Sequence, residues 1–305
     1  MVGVLIDTPG LRGAGGATVT VNGAGSPRTL NAPRDFAYTG TDFQLAREMI
    51  RERAGVALAE CKQHMVYNRL SKRVRALGLP SITAYLTLLR KDATHPEWED
   101  FTSALTTHLT AFYREPHHFE MLSELLHARG REPSRIWCAA ASTGEEPYTI
   151  AMTVAEAYGR FDTPVEIVAS DIDIRALAHA EQGIYSLERV TKMPLERIRQ
   201  FFQRGTGKRH GYARVCPELK RMVSFMPCNL LDARWPVAGH FDFIFCRNVL
   251  IYFKREDQYT LTARLVSQLK PQGVLFLGHS ENPQGSGLLL ETVGKTAYRS
   301  KGSHP

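Results

Sequence analysis

Apolar residues in the first third of the chain recur every three to four positions, which predicts amphipathic helices. One such run covers 43–50 and stops at Gly55, and a second covers 58–77 and stops before a Gly-Leu-Pro turn. A third helix over 81–91 follows a serine cap, and a fourth over 96–109 begins with a proline. The pattern predicts a small all-helical domain with no strand before residue 130.

Further along the chain the pattern changes to short apolar runs separated by helical intervals. Runs spaced about 30 to 60 residues apart indicate parallel strands joined by right-handed crossovers. We therefore predict a doubly wound, mostly parallel α/β domain, in which ligands bind at the carboxyl ends of the strands. The predicted strands cover 135–139, 165–169, 222–225, 241–245 and 273–277.

The composition is that of an ordinary globular protein. The chain has 305 residues, 43% of them hydrophobic and 23% charged, so a large core can form and about two domains are expected. Residues 1–40 are rich in Gly and Pro, which predicts a flexible tail. The five cysteines include no C-x-x-C pair, so we expect neither a disulfide framework nor a metal site. No apolar run approaches the about 18 residues that span a bilayer.

The positive charge of the chain is concentrated in one segment. The formal net charge is +7, and residues 41–91 contain ten Lys or Arg against four Asp or Glu, a balance of +6. Such a segment attracts an acidic partner. Arg69, Lys72 and Arg73 lie at i, i+3 and i+4 of the predicted second helix and share one face. This face is either a docking surface or an ordinary solvated helix surface.

The turn after the first predicted strand contains small residues and the acidic pair Glu145 and Glu146. Its spacing is not G-x-G-x-x-G, and the negative charge disfavours a dinucleotide diphosphate. A ligand with cationic ammonium and sulfonium groups, such as S-adenosylmethionine, would instead be attracted. The alternative is a tight strand-to-helix connection with solvated glutamates.

Polar residues also follow the other predicted strands. Asp171 comes after the second strand, where an acid can accept hydrogen bonds from two ribose hydroxyls, although Asp171 or Asp173 could equally cap the next helix. Asn229 follows the third strand, where contact with an adenine edge would fall. Arg247 and Asn248 follow the fourth strand, over the expected crevice.

Six motifs between residues 107 and 281 form a recognisable set. They are THLTAFYRE at 107–115, AASTGEEPY at 140–148, SDID at 170–173, FCRNVLIYF at 245–253, LKP at 269–271 and GHSE at 278–281. Together they resemble the CheR family of chemotaxis receptor methyltransferases. The resemblance extends from about residue 41 to about residue 298 and leaves out the first 40 residues.

The resemblance implies an S-adenosylmethionine-dependent O-methyltransferase of Rossmann-like fold that forms methyl esters on chemoreceptor glutamates. A glutamate acceptor is ionised at pH 7, so no general base is expected. Arg114 and Tyr252 are the candidates for a catalytic role. His108 stands where relatives commonly have Asn, and it can still donate a hydrogen bond to the methionine carboxylate. The other implied cofactor contacts are Thr110, Arg114, Glu145, Asp171, Asn229, Leu230, Arg247 and Asn248.

The resemblance also implies a domain order and a small insert. We expect a tail over 1–40, a helical receptor-docking domain with a linker over 41–128, and the methyltransferase domain over 129–305. An antiparallel β-subdomain is expected at about 204–221, and in some relatives its edge takes a C-terminal receptor pentapeptide as an added strand. The candidate peptide-binding residues are Gly205, Gly207, Gly211, Tyr212 and Arg214.

The expected partner is the acidic helical bundle of a chemoreceptor, and the expected location is the cytoplasm, with recruitment to membrane receptor clusters. Two alternatives stay open at this point. A methyltransferase acting on nucleic acid would use the basic helices as a binding arm, although Arg247-Asn248-Val249 differs from the Asn/Asp-Pro-Pro-aromatic sequence of amino-methylating enzymes. A regulator that binds the cofactor without transferring its methyl group is the other alternative.

Overall fold

The computed structural model describes residues 35–283 and 286–301. Residues 1–34, which make up most of the predicted flexible tail, lie outside the described residues. The chain from Phe36 onward forms one compact unit. Among the described residues, no helix is both long and apolar enough to cross a lipid bilayer.

Four helices form the N-terminal domain, and their ends follow local sequence signals. Thr39 caps the first helix, Gly55 ends it with a φ of 72°, and Ser81 caps the third helix. The fourth helix ends at Leu105 rather than near Leu109, so its predicted end is wrong. The four helices are α1 (Gly40–Ala54), α2 (Gln63–Ala76), α3 (Ile82–Lys91) and α4 (Glu97–Leu105).

Apolar residues from all four helices meet in a single core. They include Phe43, Ile50, Leu70, Leu86 and Phe101, each at most 3% exposed. The three-to-four spacing seen in the sequence places these side chains on the inward faces of their helices. The all-helical character of this domain is therefore confirmed.

The remainder of the described chain alternates strands with helices. The helices are α5 (His117–Arg129), α6 (Glu145–Tyr158), α7 (Ile174–Gln182), α8 (Leu187–Val190), α9 (Leu195–Phe201), α10 (Pro217–Arg221) and α11 (Arg255–Ser267). The strands are β1 (Ser134–Cys138), β2 (Val165–Asp171), β3 (Ile184–Ser186), β4 (Phe202–Arg204), β5 (Tyr212–Val215), β6 (Val223–Pro227), β7 (Phe241–Cys246), β8 (Leu269–Leu277), β9 (Leu290–Gly294) and β10 (Ala297–Ser300).

Seven strands form one mostly parallel sheet in the order β6-β2-β1-β7-β8-β10-β9. Neighbours from β6 to β8 pair in parallel, and β10 and β9 add an antiparallel edge. The chain starts at the centre with β1, moves outward to β6, and then returns to β7 on the other side of β1. All five predicted strands are confirmed, and the strand order reverses between β1 and β7, where a ligand crevice is expected.

Both faces of this sheet are buried. Along β1, Ile136 and Cys138 belong to one apolar cluster, whereas Trp137 between them belongs to another. Helix α6 covers the first face and α11 covers the second. Because successive side chains on a strand point to opposite faces, this alternation is what a doubly wound sheet requires.

Helix α5 packs with the sheet rather than with the N-terminal helices. Phe119, Leu122 and Leu126 are at most 3% exposed and lie in the core cluster that covers one face of the sheet. We therefore assign α5 to the sheet domain, whereas the sequence placed it within the segment 41–128. The two domains meet where Tyr252 packs on the helical core and its carbonyl accepts a hydrogen bond from Ala57 N–H at 2.7 Å.

A separate three-stranded antiparallel sheet has the order β3-β5-β4. Its presence confirms the predicted β-subdomain. Its first strand, β3, lies well before the predicted start of the insert at about residue 204. Three-residue strands such as β3 and β4 carry too short a pattern to be recognised from alternation alone.

Candidate active site

A cavity of about 400 Å³ opens at the carboxyl ends of β1, β2 and β7. This volume lies within the range of small-molecule sites. Residues of the helical domain, including Val56 and Leu105, form one wall, and residues that follow the strands form the other. The predicted site residues in its lining are His108, Thr110, Arg114, Asp171, Arg247, Asn248 and Tyr252.

A much smaller cavity adjoins this one and shares Asp171 and Ala140 with it. Asn229 and Leu230 line the smaller cavity. The Asn229 amide already bonds within the chain, because its Nδ2 donates to the Arg53 carbonyl at 3.1 Å and its Oδ1 accepts from Leu231 N–H at 3.0 Å. The two cavities together bring all the predicted cofactor contacts except Glu145 to one place.

Asp171 and Asp173 have different roles, which the sequence left open. Asp173 caps α7, where its Oδ1 accepts from the N–H groups of Arg175 and Ala176 at 2.9 and 3.2 Å. Asp171 lines the cavity and accepts from Ser142 N–H at 2.7 Å and Asp173 N–H at 2.9 Å. Burial raises the pKa of Asp171 against these opposing hydrogen bonds. The helix cap is therefore Asp173, and Asp171 remains available to a ligand.

His108 pairs with the buried carboxylate of Asp173. Its Nε2 lies 2.8 Å from Asp173 Oδ2 and 3.2 Å from Thr106 Oγ1. Burial alone would lower the pKa of His108, but the hydrogen bond and the charge of Asp173 outweigh it, so the pKa is raised. The imidazole therefore has a partner inside the protein in addition to any ligand in the cavity.

The two glutamates of the first turn are both ion-paired, and their attraction for a cationic cofactor stays a prediction. Glu145 is fully buried, accepts from Thr143 Oγ1 at 2.7 Å and pairs with Arg189, and it does not line the cavity. Glu146 does line the cavity, and Arg247 Nη1 donates to its Oε2 at 2.6 Å. Asp171 is thus the lining carboxylate that has no ion pair among the described residues.

Arg247 contacts several residues of the site at once. Its side chain is fully buried, contacts Glu146 and the Arg114 carbonyl, and lies 3.4 Å from Glu115 Oε2. Its Nε is buried without a hydrogen-bond partner in the described residues. A guanidinium held on several sides has little freedom, so Arg247 fixes the positions of its neighbours around the cavity.

Glu281 organises the loop that carries Asn248, and its role was missed from the sequence. Its carboxylate accepts from the N–H groups of Gly278, Asn248 and Leu250 at 2.6, 2.8 and 2.7 Å. Asn248 itself has a φ of 58°, a left-handed conformation that needs support from its surroundings. The sequence signal for this residue is the GHSE motif at 278–281, from which no role for the glutamate was predicted.

Glu115 joins the same network from the other side. It accepts from Asn248 Nδ2 at 3.3 Å and lies 2.9 Å from His279 Nδ1. Burial opposes its ionisation, but His279 and Arg247 lower the pKa of Glu115 to about 2. Glu115, His117 and His118 have possible metal-ligand atoms within 4.8 Å of one another. Because Arg247 already supplies positive charge to this carboxylate, we assign the cluster to the positioning network and keep the prediction of no metal.

Two of the three residues of the predicted basic docking face bond within the protein, and the docking role of this face stays a prediction. Arg69 Nη1 donates to the carbonyls of Ala104 and Thr106 at 3.0 and 2.6 Å, which caps the end of α4. Arg73 makes two hydrogen bonds to the buried Glu97, at 2.7 and 2.8 Å. Only Lys72 of the three is exposed. Helical spacing identified a shared face but could not show that α4 packs against it.

The predicted peptide-binding residues lie on the central strand of the three-stranded sheet and in the turns beside it. Tyr212 and Arg214 lie on β5, the central strand, whose two neighbours β3 and β4 leave it no free edge. Gly205 is tightly enclosed, since an added Cβ would lie 2.2 Å from the Arg209 carbonyl oxygen. Gly207 and Gly211 have φ values of 54° and 92° and form turns. A peptide strand could therefore pair with β3 or β4, not with β5.

The cavity fits a cofactor that has both polar and cationic groups. Ser142 lines the cavity beside Asp171, and its Oγ is buried without a hydrogen-bond partner in the described residues. Asp171 offers a carboxylate that forms no ion pair with the described residues, and Ala140 is a small residue in the same lining. A parallel sheet with such a crevice at its switch point defines a nucleoside-binding fold of the kind used by S-adenosylmethionine-dependent methyltransferases.

Comparison with known proteins gives the family. The family model described as "CheR methyltransferase, SAM binding domain" matches residues 108–299. The family model described as "CheR methyltransferase, all-alpha domain" matches residues 41–106. The chain therefore belongs to the CheR methyltransferase family, and S-adenosylmethionine is its cofactor.

Relatives of known name match over nearly the full length of both chains. The chain is 49% identical to chemotaxis protein methyltransferase 2 of Pseudomonas aeruginosa, over 90% of this chain and 98% of that protein. It is 47% identical to the chemotaxis protein methyltransferase of Escherichia coli, over 88% and 94%. It is 45% identical to that of Salmonella typhimurium, over 88% and 93%. The recognition of the family from six motifs is confirmed.

Proposed function

We propose that this protein transfers a methyl group from S-adenosylmethionine to glutamate side chains of chemoreceptors and forms glutamate methyl esters. The observation that carries the proposal is the cavity between the two domains, which has the carboxylate of Asp171 at the strand ends and is lined on its other side by the helical domain. The family membership supports the reaction type. It does not favour a nucleic acid substrate or a regulator without transfer activity.

The chain's own residues bind and orient rather than take part in covalent chemistry. The bound cofactor supplies an electrophilic methyl group on a sulfonium. Asp171 would accept hydrogen bonds from the ribose hydroxyls, and its position at the strand end in the cavity lining supports this role. His108, Thr110 and Arg114 line the same cavity near the start of the sheet domain. Holding two reactants in a reactive arrangement can contribute about 7–11 kcal/mol in favourable cases. A glutamate acceptor is already ionised, so no general base is needed.

Two of the lining residues are proposed to act on the reacting groups. Arg114 is half-buried, and its Nη1 donates to the Leu109 carbonyl at 2.9 Å, which leaves its other nitrogens for a carboxylate of cofactor or substrate. Tyr252 lies in the turn Leu250–Tyr252 and contacts the helical core. Both belong to the boundary between the domains, where donor and acceptor would meet.

The β-subdomain is proposed to bind the C-terminal pentapeptide of a receptor. An added strand needs a free edge, which β4 offers together with the exposed side chains of Gln203 and Arg204. We further propose that the protein acts in the cytoplasm and is recruited to receptor clusters through this contact. Titration with a Trp-containing receptor pentapeptide tests this point, and no saturable binding at high micromolar peptide would remove it.

The proposed reaction is tested with labelled methyl donor and receptor-containing membranes. We expect label on the receptor that is released as methanol by base, because carboxyl methyl esters are base-labile. The Asp171→Asn variant should lose most of this label, whereas Glu291→Gln, an exposed change on β9, should keep it. Base-stable label, or label on nucleic acid, would contradict the proposal.

A further inference from the structure

The charge of the cavity lining differs between the floor of the cavity and its mouth, where the lining residues are exposed. The floor consists of the lining residues that are not exposed, and its charged groups are Asp171, Arg114 and the Glu146–Arg247 pair. The exposed lining residues carry one positive charge and no negative charge. They are Ala57, Ala59, Lys62, Thr107, Leu109 and Ile251.

Two large apolar side chains at the mouth have no packing role that accounts for their position. Leu109 is 77% exposed and Ile251 is 48% exposed, and both line the cavity. They come from different parts of the chain, since Leu109 lies between α4 and α5 and Ile251 lies in the turn after β7. Exposed apolar residues that border a binding cleft are typical of interaction sites.

The mouth is held in place by backbone contacts. Ala57 N–H donates to the Tyr252 carbonyl at 2.7 Å, which ties the segment between α1 and α2 to the turn that carries Ile251. Lys62 ends the short 3-10 turn Glu60–Lys62 on the same segment. Leu109 is fixed through its carbonyl, which accepts from Arg114 Nη1 at 2.9 Å. The exposed side chains are therefore presented by an ordered frame.

We propose that Lys62, Leu109 and Ile251 form the surface that receives the acceptor segment of the chemoreceptor and so contribute to substrate specificity. This inference rests on the proposed function. An acceptor glutamate on an amphipathic helix brings negative charge and adjacent apolar side chains, which match one lysine between two apolar residues. Small residues, Ala57 and Ala59, leave room for the helix backbone to approach the mouth. This surface differs from the face predicted from the sequence, where Arg69 and Arg73 are engaged inside the protein.

The test separates acceptor binding from cofactor binding. Leu109→Ser, Ile251→Ser and Lys62→Glu are compared with the full-length wild type in methylation of receptor-containing membranes and in calorimetric titration with S-adenosylhomocysteine. Leu289→Ser is the matched control for Leu109, because Leu289 is 75% exposed and lies outside the cavity. Lys91→Glu is the control for Lys62, because Lys91 is an exposed lysine at the end of α3.

We expect each change at the mouth to raise the receptor KM about fivefold or more while the affinity for S-adenosylhomocysteine stays within about twofold. The Lys62→Glu effect should weaken at high salt, because the contact is exposed and screened. An unchanged receptor KM would overturn the inference, as would an equal loss of S-adenosylhomocysteine affinity. If the wild type binds S-adenosylhomocysteine but does not methylate receptors, the proposed function fails and the inference fails with it.

Discussion

Replacing Glu281 by Gln should destabilise the protein and disturb the cofactor site together. Glu281 is 5% exposed, and its two oxygens accept three backbone hydrogen bonds from Gly278, Asn248 and Leu250. A Gln at this position can keep its oxygen where Glu281 Oε2 accepts two of these bonds. Its NH2 group then faces the Leu250 N–H, so that donor loses its acceptor.

The expected loss follows from the bonds involved. A hydrogen bond to a charged group contributes about 1.5–3 kcal/mol, and a neutral one about 1 kcal/mol. Burial raises the pKa of Glu281 against the hydrogen bonds from the loop, so desolvation already offsets part of the charged contribution. We therefore expect Glu281→Gln to lower the free energy of unfolding by about 2 kcal/mol.

Urea unfolding followed by circular dichroism measures this change, and calorimetry with S-adenosylhomocysteine measures the effect on the site. Because Asn248 would lose its fixed left-handed backbone, we expect ligand affinity to fall about tenfold. Glu291→Gln, an exposed glutamate on β9, serves as the control. Wild-type stability in Glu281→Gln, or an equal loss in the control, would refute the role assigned to this carboxylate.

Three further predictions follow from contacts in the structure. The pKa of His108 is raised in the folded state by Asp173, so the stability that this pair contributes is present at low pH and is lost as pH rises through the raised pKa. The stability difference between wild type and His108→Asn in urea unfolding should therefore shrink as pH rises above the ordinary histidine pKa of about 6.5, and a constant difference would contradict the pairing. Arg73→Met should lower the free energy of unfolding, measured in urea, by about 1.5–3 kcal/mol, because Glu97 loses two charged hydrogen bonds. The control Lys72→Met should change this free energy little. Equal losses in the two variants would exclude a structural role for Arg73. Gly278→Ala places a Cβ 2.3 Å from Asn248 Nδ2 and should lower both the melting temperature and the affinity for S-adenosylhomocysteine. Gly40→Ala is the control, because an added Cβ at Gly40 meets open space. Wild-type behaviour of Gly278→Ala would show that the loop carrying Asn248 can move aside.

Local signals in the sequence predicted the elements of the fold well. Ser81 and Gly55 mark helix ends through groups that act within one turn, and runs such as 241–245 mark buried strands by their length and apolar content. The parallel pairing of those strands was predicted from their spacing, whereas their order in the sheet was not predicted. The segment β3 has only three residues, so neither its existence nor its pairing with β5 could be predicted from alternation.

The sequence predicted the positions of several site residues but not which of their charges remain unpaired. Motifs placed Asp171, Arg247 and Asn248 at the cavity because strand ends carry them there. Which charges remain free depends on partners distant in sequence, and these cannot be deduced from spacing. Arg73 bonds to Glu97, and Glu145 pairs with Arg189, so a residue that resembles a free charge in the sequence is neutralised by its neighbour in the fold.

The separation of charge along the cavity connects the two reactants. Asp171 at the floor suits the cationic, hydroxyl-bearing donor, and Lys62 at the mouth suits an anionic acceptor. Because Arg247 neutralises Glu146, the floor does not repel an approaching carboxylate as strongly as two free glutamates would. The positive charge of Lys62 fits an anionic acceptor better than a cationic one.

Calorimetric titration of the purified protein with S-adenosylhomocysteine tests the cofactor assignment most directly, because it needs no knowledge of the receptor. We predict saturable binding to one site per chain, weakened at least about tenfold by Asp171→Asn because charged hydrogen bonds are lost. No binding of S-adenosylhomocysteine, together with saturable binding of a nicotinamide dinucleotide or a nucleoside triphosphate, would contradict it.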